Sequence, residues 1–545
     1  MKNKVLLKED ARKKIKEGVD LVANPVKITL GAGGKNVVCV RDNMMPVITK
    51  DGVSIAQEVQ SDDPIVNAGA LAVKQVAKQT NDLAGDGTTT STVLAQAIIN
   101  EAEKELKNTN KYFGLYKVKG ANPISLKRGI DKASEEVIKN LKQLSQKSSN
   151  IYTLKNIAKI SANGDKEISD LVVEAINKVT KDGVIKVEEV ESIKSEIETT
   201  NGYEFDSPIS SYMFITNEEK ITAEFDDMNV LLYEGYIEDF NQLDETIKAV
   251  FDHEKNKFTS LLIIADQIST PVERQIIKFK TEGAKIMYVK SPSFGARRTE
   301  VMQDIASVIG ARVYKQDELS EVTAEGIGRV RKVISDVNKT TLIGGQGNTQ
   351  ERIEVVKKQT KTIQGGKKEK DFVKERLGKL TGGIAIIKVG GYSAVERREK
   401  TDRVEDALCA VKACLEEGFV AGGGATYLQI AEKLKTTDVS FKNKDEEKGF
   451  NVVVRALSAP FKQIMLNAGI ESQEIENIIR TASYGQGFNL ITEQVEDLLK
   501  AGVIDPTKVS RLALLNATNI SGMFLSVEAI VYNNTPIFGQ NAQVI

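Results

Sequence analysis

The segment Gly85-Asp86-Gly87-Thr88-Thr89-Thr90 carries the residue types best suited to chemistry in this chain. Its glycines free the backbone, and three hydroxyl residues then open a predicted helix, whose unpaired N–H groups and positive dipole end favour a phosphate chain. The Asp86 carboxylate would repel that phosphate unless a divalent cation lay between them. The segment therefore predicts a joint site for a nucleotide and Mg²⁺. No Gly-Lys-Ser/Thr follows, so it is not a Walker A loop.

A second candidate for chemistry is Asp406, in a predicted helix. An apolar stripe of Val404, Ala407, Leu408, Val411 and Leu415 runs along that helix, and Asp406 points roughly opposite to it. Its neighbours on that side, Cys409, Ala410 and Ala413, are small, so another surface could approach the carboxylate closely. One interpretation is a general base or water-orienting group delivered by a neighbouring domain. The other is an acid at a helix N-terminus, favoured by the dipole.

Predicted helices position the glycine-threonine segment on both sides, from Pro64 to Leu83 and from Thr88 to about Leu106. Lys50-Asp51-Gly52 separates two short apolar runs, which predicts a hairpin with Asp51 in its turn. The glycines of Leu30-Gly31-Ala32-Gly33-Gly34 and of Gly422-Gly423-Gly424 predict caps or tight turns that could shape a nucleotide pocket. Asp505-Pro506 predicts a helix N-cap.

The middle of the chain has a different pattern from its ends. Between residues 202 and 383, apolar runs such as Leu261–Ala265 and Ile286–Val289 alternate with helical patterns, which predicts a parallel or mixed sheet. Both ends are largely helical. Gly202 and Gly382-Gly383 bracket the middle segment, which predicts a domain inserted into another with glycine hinges at both crossings.

The composition limits the classes of function that this chain can have. A chain of 545 residues predicts roughly two to four domains. The net charge of −1 favours neither a nucleic acid nor a membrane surface as partner. His253 is the single histidine and is expected in a solvated loop, which excludes multi-histidine metal sites. Cys39, Cys409 and Cys414 form no CxxC pair, which argues against a disulfide framework or a zinc site.

No secretory or bilayer-spanning segment is apparent in the sequence. We therefore expect a soluble, cytoplasmic protein.

Taken together, the order and spacing of these motifs resemble the group I chaperonins, the GroEL-like family, over nearly the whole chain. The matching stretches are Ile28–Gly31, Val47–Val53, Ala84–Thr90, Leu126–Asp131, Ile160–Asn163, Arg403–Leu408, Glu416–Gly424 and Ile504–Val509.

The resemblance implies a multidomain α+β and α/β fold. A mostly helical equatorial ATPase domain would span residues 1–143 and 417–545, and a small intermediate domain 144–201 and 384–416. An α/β apical domain would span 202–383, inserted between hinges.

The resemblance also implies a site. ATP would contact Thr29, Leu30, Gly31, Lys50, Gly87, Thr88, Thr89 and Thr90, with Gly423, Asn489 and Asp505 around its ribose and adenine. Asp86 would ligate Mg²⁺, and groups at Thr29, Lys50 and Thr89 would bind K⁺. Asp51 would position the attacking water, and Asp406 would be the catalytic carboxylate, brought in when a domain closes.

The implied function is ATP-driven folding of non-native polypeptides in homo-oligomeric, seven-membered rings. Glu474 replaces a small apolar ring-contact residue of the family, so a single and a double ring both remain open. The alternative is a ring-forming holdase or scaffold that binds nucleotide without needing a cycle or a co-chaperonin. An unrelated metabolic kinase would explain the phosphate segment but not the other motifs.

The resemblance places polypeptide-binding positions in the apical segment. These are Ile209, Met213, Phe214, Ile247, Phe251, Ile276 and Ile277. Asp244, Glu273 and Lys278 stand where the family has aliphatic residues, and a core role for the set is as compatible with the sequence as a client surface. A co-chaperonin would use the same groove, so its use also stays open.

Overall fold

The chain forms two units, because the helical ends come together and the middle folds by itself. The first unit comprises Met1–Val173 and Ser393–Ile545, and the second comprises Glu174–Tyr392. This structure, a computed structural model, describes residues 4–40, 46–107, 112–113, 116–117, 120–147, 149–179, 183–218, 220–252, 257–362, 367–481 and 486–532. The expectation for His253 lies outside these residues.

The α-helices of the described residues are numbered in chain order. They are α1 Lys8–Lys27, α2 Gly52–Glu58, α3 Pro64–Ala84, α4 Thr88–Leu106, α5 Pro123–Leu144, α6 Ile151–Ser161, α7 Lys166–Lys178, α8 Asp244–Ala249, α9 Thr270–Thr281, α10 Ala296–Ile309, α11 Gln350–Thr362, α12 Lys367–Gly382, α13 Ala394–Glu417, α14 Ala425–Lys435, α15 Lys444–Ala456, α16 Ala459–Asn467, α17 Ser472–Thr481, α18 Leu498–Ala501 and α19 Thr507–Leu525. No α-helix of these ranges is long and apolar enough to cross a membrane.

The strands of the described residues are numbered in the same way. They are β1 Lys4–Leu7, β2 Val37–Cys39, β3 Val47–Thr49, β4 Tyr112–Phe113, β5 Tyr116–Lys117, β6 Val184–Glu189, β7 Glu196–Thr200, β8 Gly202–Phe205, β9 Ala223–Ile237, β10 Phe251–Asp252, β11 Lys257–Phe258, β12 Leu261–Ile268, β13 Ile286–Lys290, β14 Val313–Lys315, β15 Gly328–Ser335, β16 Thr340–Ile343, β17 Ile384–Val389, β18 Phe419–Ala421, β19 Gln486–Asn489, β20 Gln494–Asp497, β21 Ile504–Pro506 and β22 Ala529–Tyr532.

Helix α4 lies at the centre of the first unit. It packs against α1, α3, α15, α16 and α19, and its residues Leu94 and Ile98 are fully buried. Helix α3 begins where Asp63 caps the Ile65 amide at 3.0 Å and Pro64 occupies the first turn, where a missing N–H costs nothing. Both predicted helices around the glycine-threonine segment are confirmed. The surrounding helices hold the N-terminus of α4 in place.

The second unit is built on a seven-stranded sheet. Its strands follow the order β13-β12-β9-β15-β16-β8, with β14 also paired to β9. Strand β12 runs parallel to both β13 and β9, and α9 connects β12 to β13, which confirms the predicted alternation of strands and helices. Strand β15 pairs with β9 and β16, and β16 pairs with β8. These three pairings are antiparallel, so the sheet is mixed. A separate sheet of order β6-β17-β7 belongs to the same unit.

The predicted hinge glycines lie at the ends of elements or between them. Gly202 opens β8, and Gly383, with a φ of 60°, connects α12 to β17. The five-part division into equatorial, intermediate and apical segments at the given boundaries stays a prediction.

A buried ion cluster ties three helices of the second unit together. Asp304 of α10 is fully buried and accepts hydrogen bonds from Arg376 Nε and Arg352 Nε, both at 2.6 Å. Glu300 Oε2 lies 2.8 Å from both guanidinium groups. Arg352 belongs to α11 and Arg376 to α12. These helices are therefore attached to α10 by paired charges rather than by apolar contact alone.

We expect Asp304→Ala to destabilise the second unit by about 3–5 kcal/mol, because it leaves the buried Arg376 and the partly buried Arg352 with one carboxylate between them. Urea unfolding followed by circular dichroism would measure this. The matched control is Glu354→Ala, which removes an exposed ion pair with Lys357 and should cost at most about 0.5 kcal/mol. Equal midpoints for the two variants would contradict the structural role of the cluster.

Candidate functional site

The N-terminus of α4 is open toward the Asp86 segment. Gly85 ends α3 with a φ of 67°, and Gly87 precedes α4 with a φ of 82°. Among the described residues no side chain caps α4, so the amides of its first turn, from Thr88 to Thr90, remain available to a ligand. Asp86 Oδ1 accepts a hydrogen bond from the Gly87 amide at 2.5 Å. The predicted helix start is present, and anion binding there stays a prediction.

Asp51 lies at the start of α2, and the predicted hairpin is wrong. Strand β3 pairs with β2, and Asp51 caps the next helix by accepting from the amides of Val53 and Ser54 at 3.2 and 2.7 Å. An Asp-Gly pair suits an N-cap as well as a turn, and tertiary packing selected the cap.

Gly52 brings the Asp51 segment against the start of α4. A Cβ atom at Gly52 would lie 2.6 Å from Thr89 Oγ1 and 2.9 Å from Thr88 Oγ1. Only a glycine allows this approach. Lys50, next to Asp51, lies in the same connection between β3 and α2.

The turn after α1 meets the same helix start. Thr29 Oγ1 donates to the Val26 carbonyl at 2.9 Å and lies 3.3 Å from Thr89 Oγ1. Leu30 is almost fully buried, and Gly31 has a φ of 79°. Three segments that are distant in sequence thus converge at the N-terminus of α4.

Asp406 lies in the middle of α13, so its interpretation as an acid at a helix N-terminus is wrong. The helix begins at Ala394, twelve residues before Asp406. Three residues after Asp406, the Cys409 side chain lies against Gly85, where a Cβ atom would be 2.4 Å from the sulfur. The small-residue face of α13 is therefore the face that contacts the Asp86 segment. Val404, Ala407 and Val411 are buried, whereas Leu415 is partly exposed.

Asp505 does not cap a helix, contrary to the prediction from Asp505-Pro506. It lies in β21, opposite Val420 of β18, and α19 begins after Pro506 without a side-chain cap. Its carboxylate lies over the glycine turn before α14, since a Cβ atom at Gly422 would be 2.8 Å from Asp505 Oδ1. The sheet pairing orients the carboxylate inward.

Gly423 and Asn489 belong to the same part of the first unit. Gly423 has a φ of 61°, and the strand β19 that ends at Asn489 packs against α14. The buried Asn489 amide donates to Glu496 at 2.7 Å, and its oxygen accepts from the Ile491 amide at 2.9 Å.

The carboxylates of this site carry unusual electrostatics. Burial and the nearby charges of Asp86 and Asp51 raise the pKa of Asp406 well above its ordinary value. Burial, together with Asp51, also raises the pKa of Asp86. Burial and Asp86 raise the pKa of Asp505 to about 7. No described lysine or arginine forms an ion pair with these three carboxylates, so their mutual repulsion calls for a cation.

The residues present fit a magnesium nucleotide. Within the described ranges, no three histidine, cysteine or acidic side chains lie close enough together to hold a metal by themselves. Mg²⁺ usually takes one or two carboxylates and completes its shell with phosphate and water. Asp86 beside an open helix N-terminus provides that arrangement, with the phosphates supplied by the nucleotide.

Sequence reasoning missed Ser161 as a site residue. Its hydroxyl, at the end of α6, donates to Asp86 Oδ2 at 3.2 Å. Asp165, four residues later, pairs with Arg403 of α13 at 3.0 Å. The stretch Ile160–Asn163 was among the matching motifs, but its sequence carries no sign of which residue it would contact.

The comparisons with known proteins agree with this geometry. The sequence model of the TCP-1/cpn60 chaperonin family matches residues 22–535. The chain belongs to this chaperonin family. Two crystal forms of the chaperonin gp146 from the Pseudomonas aeruginosa bacteriophage EL, both in the presence of ATP-BeFx, have a similar fold. Their TM-scores are 0.68 and 0.61 at 19% identity, and each match covers 97% of this chain and 99% of the other.

Family membership confirms the predicted fold and function. The protein is an ATP-dependent chaperonin whose fold corresponds to equatorial, intermediate and apical domains. At 19% identity, the solved structures share the fold of this chain.

The raised pKa of Asp505 predicts a pH effect on the chaperonin without nucleotide. A carboxyl with a raised folded-state pKa contributes stability at low pH, and this contribution is lost as the pH rises from about 4 to about 7. We expect the free energy of unfolding of Asp505→Asn, relative to the wild type, to increase by about 2 kcal/mol as the pH rises from 5 to 8. Denaturation at both pH values would measure it.

Asp82→Asn, on the exposed surface of α3, is the matched control and should follow the wild type at both pH values. If Asp505→Asn also followed the wild type, the carboxyl would not be titrating in this range.

Proposed function

We propose that this chaperonin hydrolyses ATP with Mg²⁺ and K⁺ at the N-terminus of α4. The observation that carries the proposal is the convergence of Asp51, Asp86 and Asp406 from three distant segments, with α13 packed on Gly85 through Cys409. A scaffold that only bound nucleotide would have no need of three mutually repelling carboxylates.

The phosphates of ATP would bind the open start of α4. In this assignment the amides and hydroxyls of Thr88, Thr89 and Thr90, the amide of Gly87, and the turn Thr29–Gly31 contact them, with Lys50 beside them. Mg²⁺, held by Asp86, would offset the negative charge that the phosphates bring. Thr29 and Thr89 support a K⁺ site, because their hydroxyl oxygens lie 3.3 Å apart and can face one cation.

Asp406 and Asp51 would act on the attacking water. A general base works best when its pKa approaches the working pH, and burial raises the pKa of Asp406 in that direction. Asp51 is held rigidly by two amides of α2, which suits a residue that orients a water molecule. Gly423, Asn489 and Asp505 would surround the ribose and adenine.

The client surface would lie in the second unit. Phe214 and Ile276 are fully buried in its core, so in this conformation they present no surface, and the expectation for them needs correction. Ile209, Ile247 and Ile277 are partly buried against the same core, and Phe251 is partly exposed. Met213, with 56% of its surface exposed, lies beside exposed Tyr212 and supports capture of non-native polypeptides there.

The assembly would be a homo-oligomer of seven-membered rings in the cytoplasm. Family membership supports a ring. Images of the purified protein with and without ATP would decide between a single and a double ring and test the use of a co-chaperonin.

The proposal predicts that Asp406→Ala binds ATP and hydrolyses it at least about 100-fold more slowly, because the general base is lost while the phosphate contacts remain. Steady-state phosphate release and equilibrium binding of a labelled nucleotide would measure the two effects. Wild-type turnover should also require Mg²⁺ and increase with K⁺. Glu416→Gln, an exposed acid on the same helix, is the control and should retain full activity.

Wild-type turnover in Asp406→Ala would refute the catalytic assignment. If the wild type protected a client equally well with and without ATP, the holdase interpretation would apply instead.

Met213→Glu should weaken binding of an unfolded client by about tenfold, since a charge replaces an exposed apolar contact. Fluorescence anisotropy of a labelled, reduced client would measure this, and ATP turnover should not change. Val337→Glu, an exposed apolar position in the same unit, is the control. Identical client affinity for both variants would place capture elsewhere.

A further inference from the structure

We propose that Asn467, the last residue of α16, is a positioning residue that holds the turn Thr29–Gly31 in its nucleotide-binding conformation. This inference rests on the proposed role of that turn at the phosphates. Asn467 is not one of the site residues expected from the sequence.

The Asn467 side chain connects both sides of the turn. Its amide nitrogen donates to the Lys27 carbonyl at 2.8 Å and to the Leu30 carbonyl at 2.9 Å, so both of its hydrogens are used. Lys27 ends α1, and its carbonyl is one of the acceptors that a helix C-terminus leaves without an intrahelical partner. A single side chain thus fixes the end of α1 relative to the middle of the turn.

The orientation of the Asn467 amide is itself held. Gln463, one turn earlier in α16, donates from its Nε2 to Asn467 Oδ1 at 2.8 Å. This contact leaves the nitrogen of Asn467 directed at the two carbonyls.

The turn needs such support because its own sequence is permissive. Ala32, Gly33 and Gly34 follow Gly31, and glycines lose more conformational freedom on ordering than other residues. The backbone hydrogen bonds of this segment run from the Gly34 amide to the Gly31 carbonyl at 2.9 Å, from the Lys35 amide to the Ile28 carbonyl at 3.0 Å and from the Leu30 amide to the Lys27 carbonyl at 3.3 Å. Ile464, three residues before Asn467 in α16, adds contact, since a Cβ atom at Gly31 would lie 2.9 Å from its side chain.

The position of the turn decides where Thr29 meets Thr89. If Asn467 is removed, the turn gains alternative conformations, and nucleotide binding must select the competent one from them. The described hydrogen bonds of the Asn467 side chain do not involve Asp51, Asp86 or Asp406, so turnover of bound ATP should be preserved.

The test is Asn467→Ala in the full-length protein, with ADP and ATP as probes. We expect the Kd for ADP and the KM for ATP to rise about tenfold, with kcat at saturating ATP within about twofold of the wild type. Isothermal titration and steady-state hydrolysis would measure these values. Asn477→Ala, an exposed asparagine on α17, is the matched control and should leave all three unchanged.

A rescue experiment separates positioning from general stability. Ala32 occupies the second position of the turn closed by Gly34 and Gly31, where proline is favoured, and it is not among the residues with positive φ. Adding Ala32→Pro to Asn467→Ala should restore most of the ADP affinity, because it limits the conformations of the turn. Gln463→Ala removes the hydrogen bond that orients the Asn467 side chain but leaves that side chain in place. It should raise the Kd for ADP about threefold.

The outcomes are distinct. An unchanged Kd in Asn467→Ala, a fall in kcat without a rise in KM, or the absence of rescue by Ala32→Pro would overturn the inference. If Asn467→Ala failed to fold, an unchanged Kd for ADP in Gln463→Ala would overturn the inference. A wild type that binds no ATP would instead overturn the proposed function.

Discussion

The repulsion among Asp51, Asp86 and Asp406 is the constraint on which the nucleotide site depends. Burial, and secondarily the neighbouring charges, raise the pKa values of Asp86 and Asp406. Such a cluster is stable only when protonated or when a cation is present. In the proposed mechanism, Mg²⁺ and a phosphate chain would bind here together and would lower the electrostatic cost of bringing α13 against the Asp86 segment.

The packing around Asp86 makes this constraint specific. Gly85 allows Cys409 of α13 to approach, Ser161 reaches Asp86 from α6, and the pair Asp165–Arg403 joins the α6–α7 connection to α13. Asp406 thus lies on one of the helices that pack together against the Asp86 segment. If Asp406 is the proposed general base, a displacement of these helices would move it away from the bound nucleotide and couple hydrolysis to conformational change.

The second unit meets a different requirement. Its sheet buries a large apolar core, and Phe214 and Ile276, which the sequence suggested for a client surface, belong to that core. Periodicity alone could not separate the two roles, because an apolar stripe at helical spacing fits a core as well as a groove. The exposed Met213 and Tyr212 sit in a short connection that has no periodicity at all.

Sequence by itself determined the elements with strong local signals: the helices on both sides of Gly85–Thr90, the parallel pairing of β12 and β13, and the family. These depend on neighbouring residues, whose spacing is visible in the chain. Tertiary structure alone decided that Asp51 caps a helix, that Asp505 lies in a strand, and that Ser161 and Asn467 reach the site. Asp-Gly and Asp-Pro are compatible with several local conformations, and a hydrogen bond across hundreds of residues leaves no trace in local spacing. The choice was made by packing and by the partners that buried polar groups require.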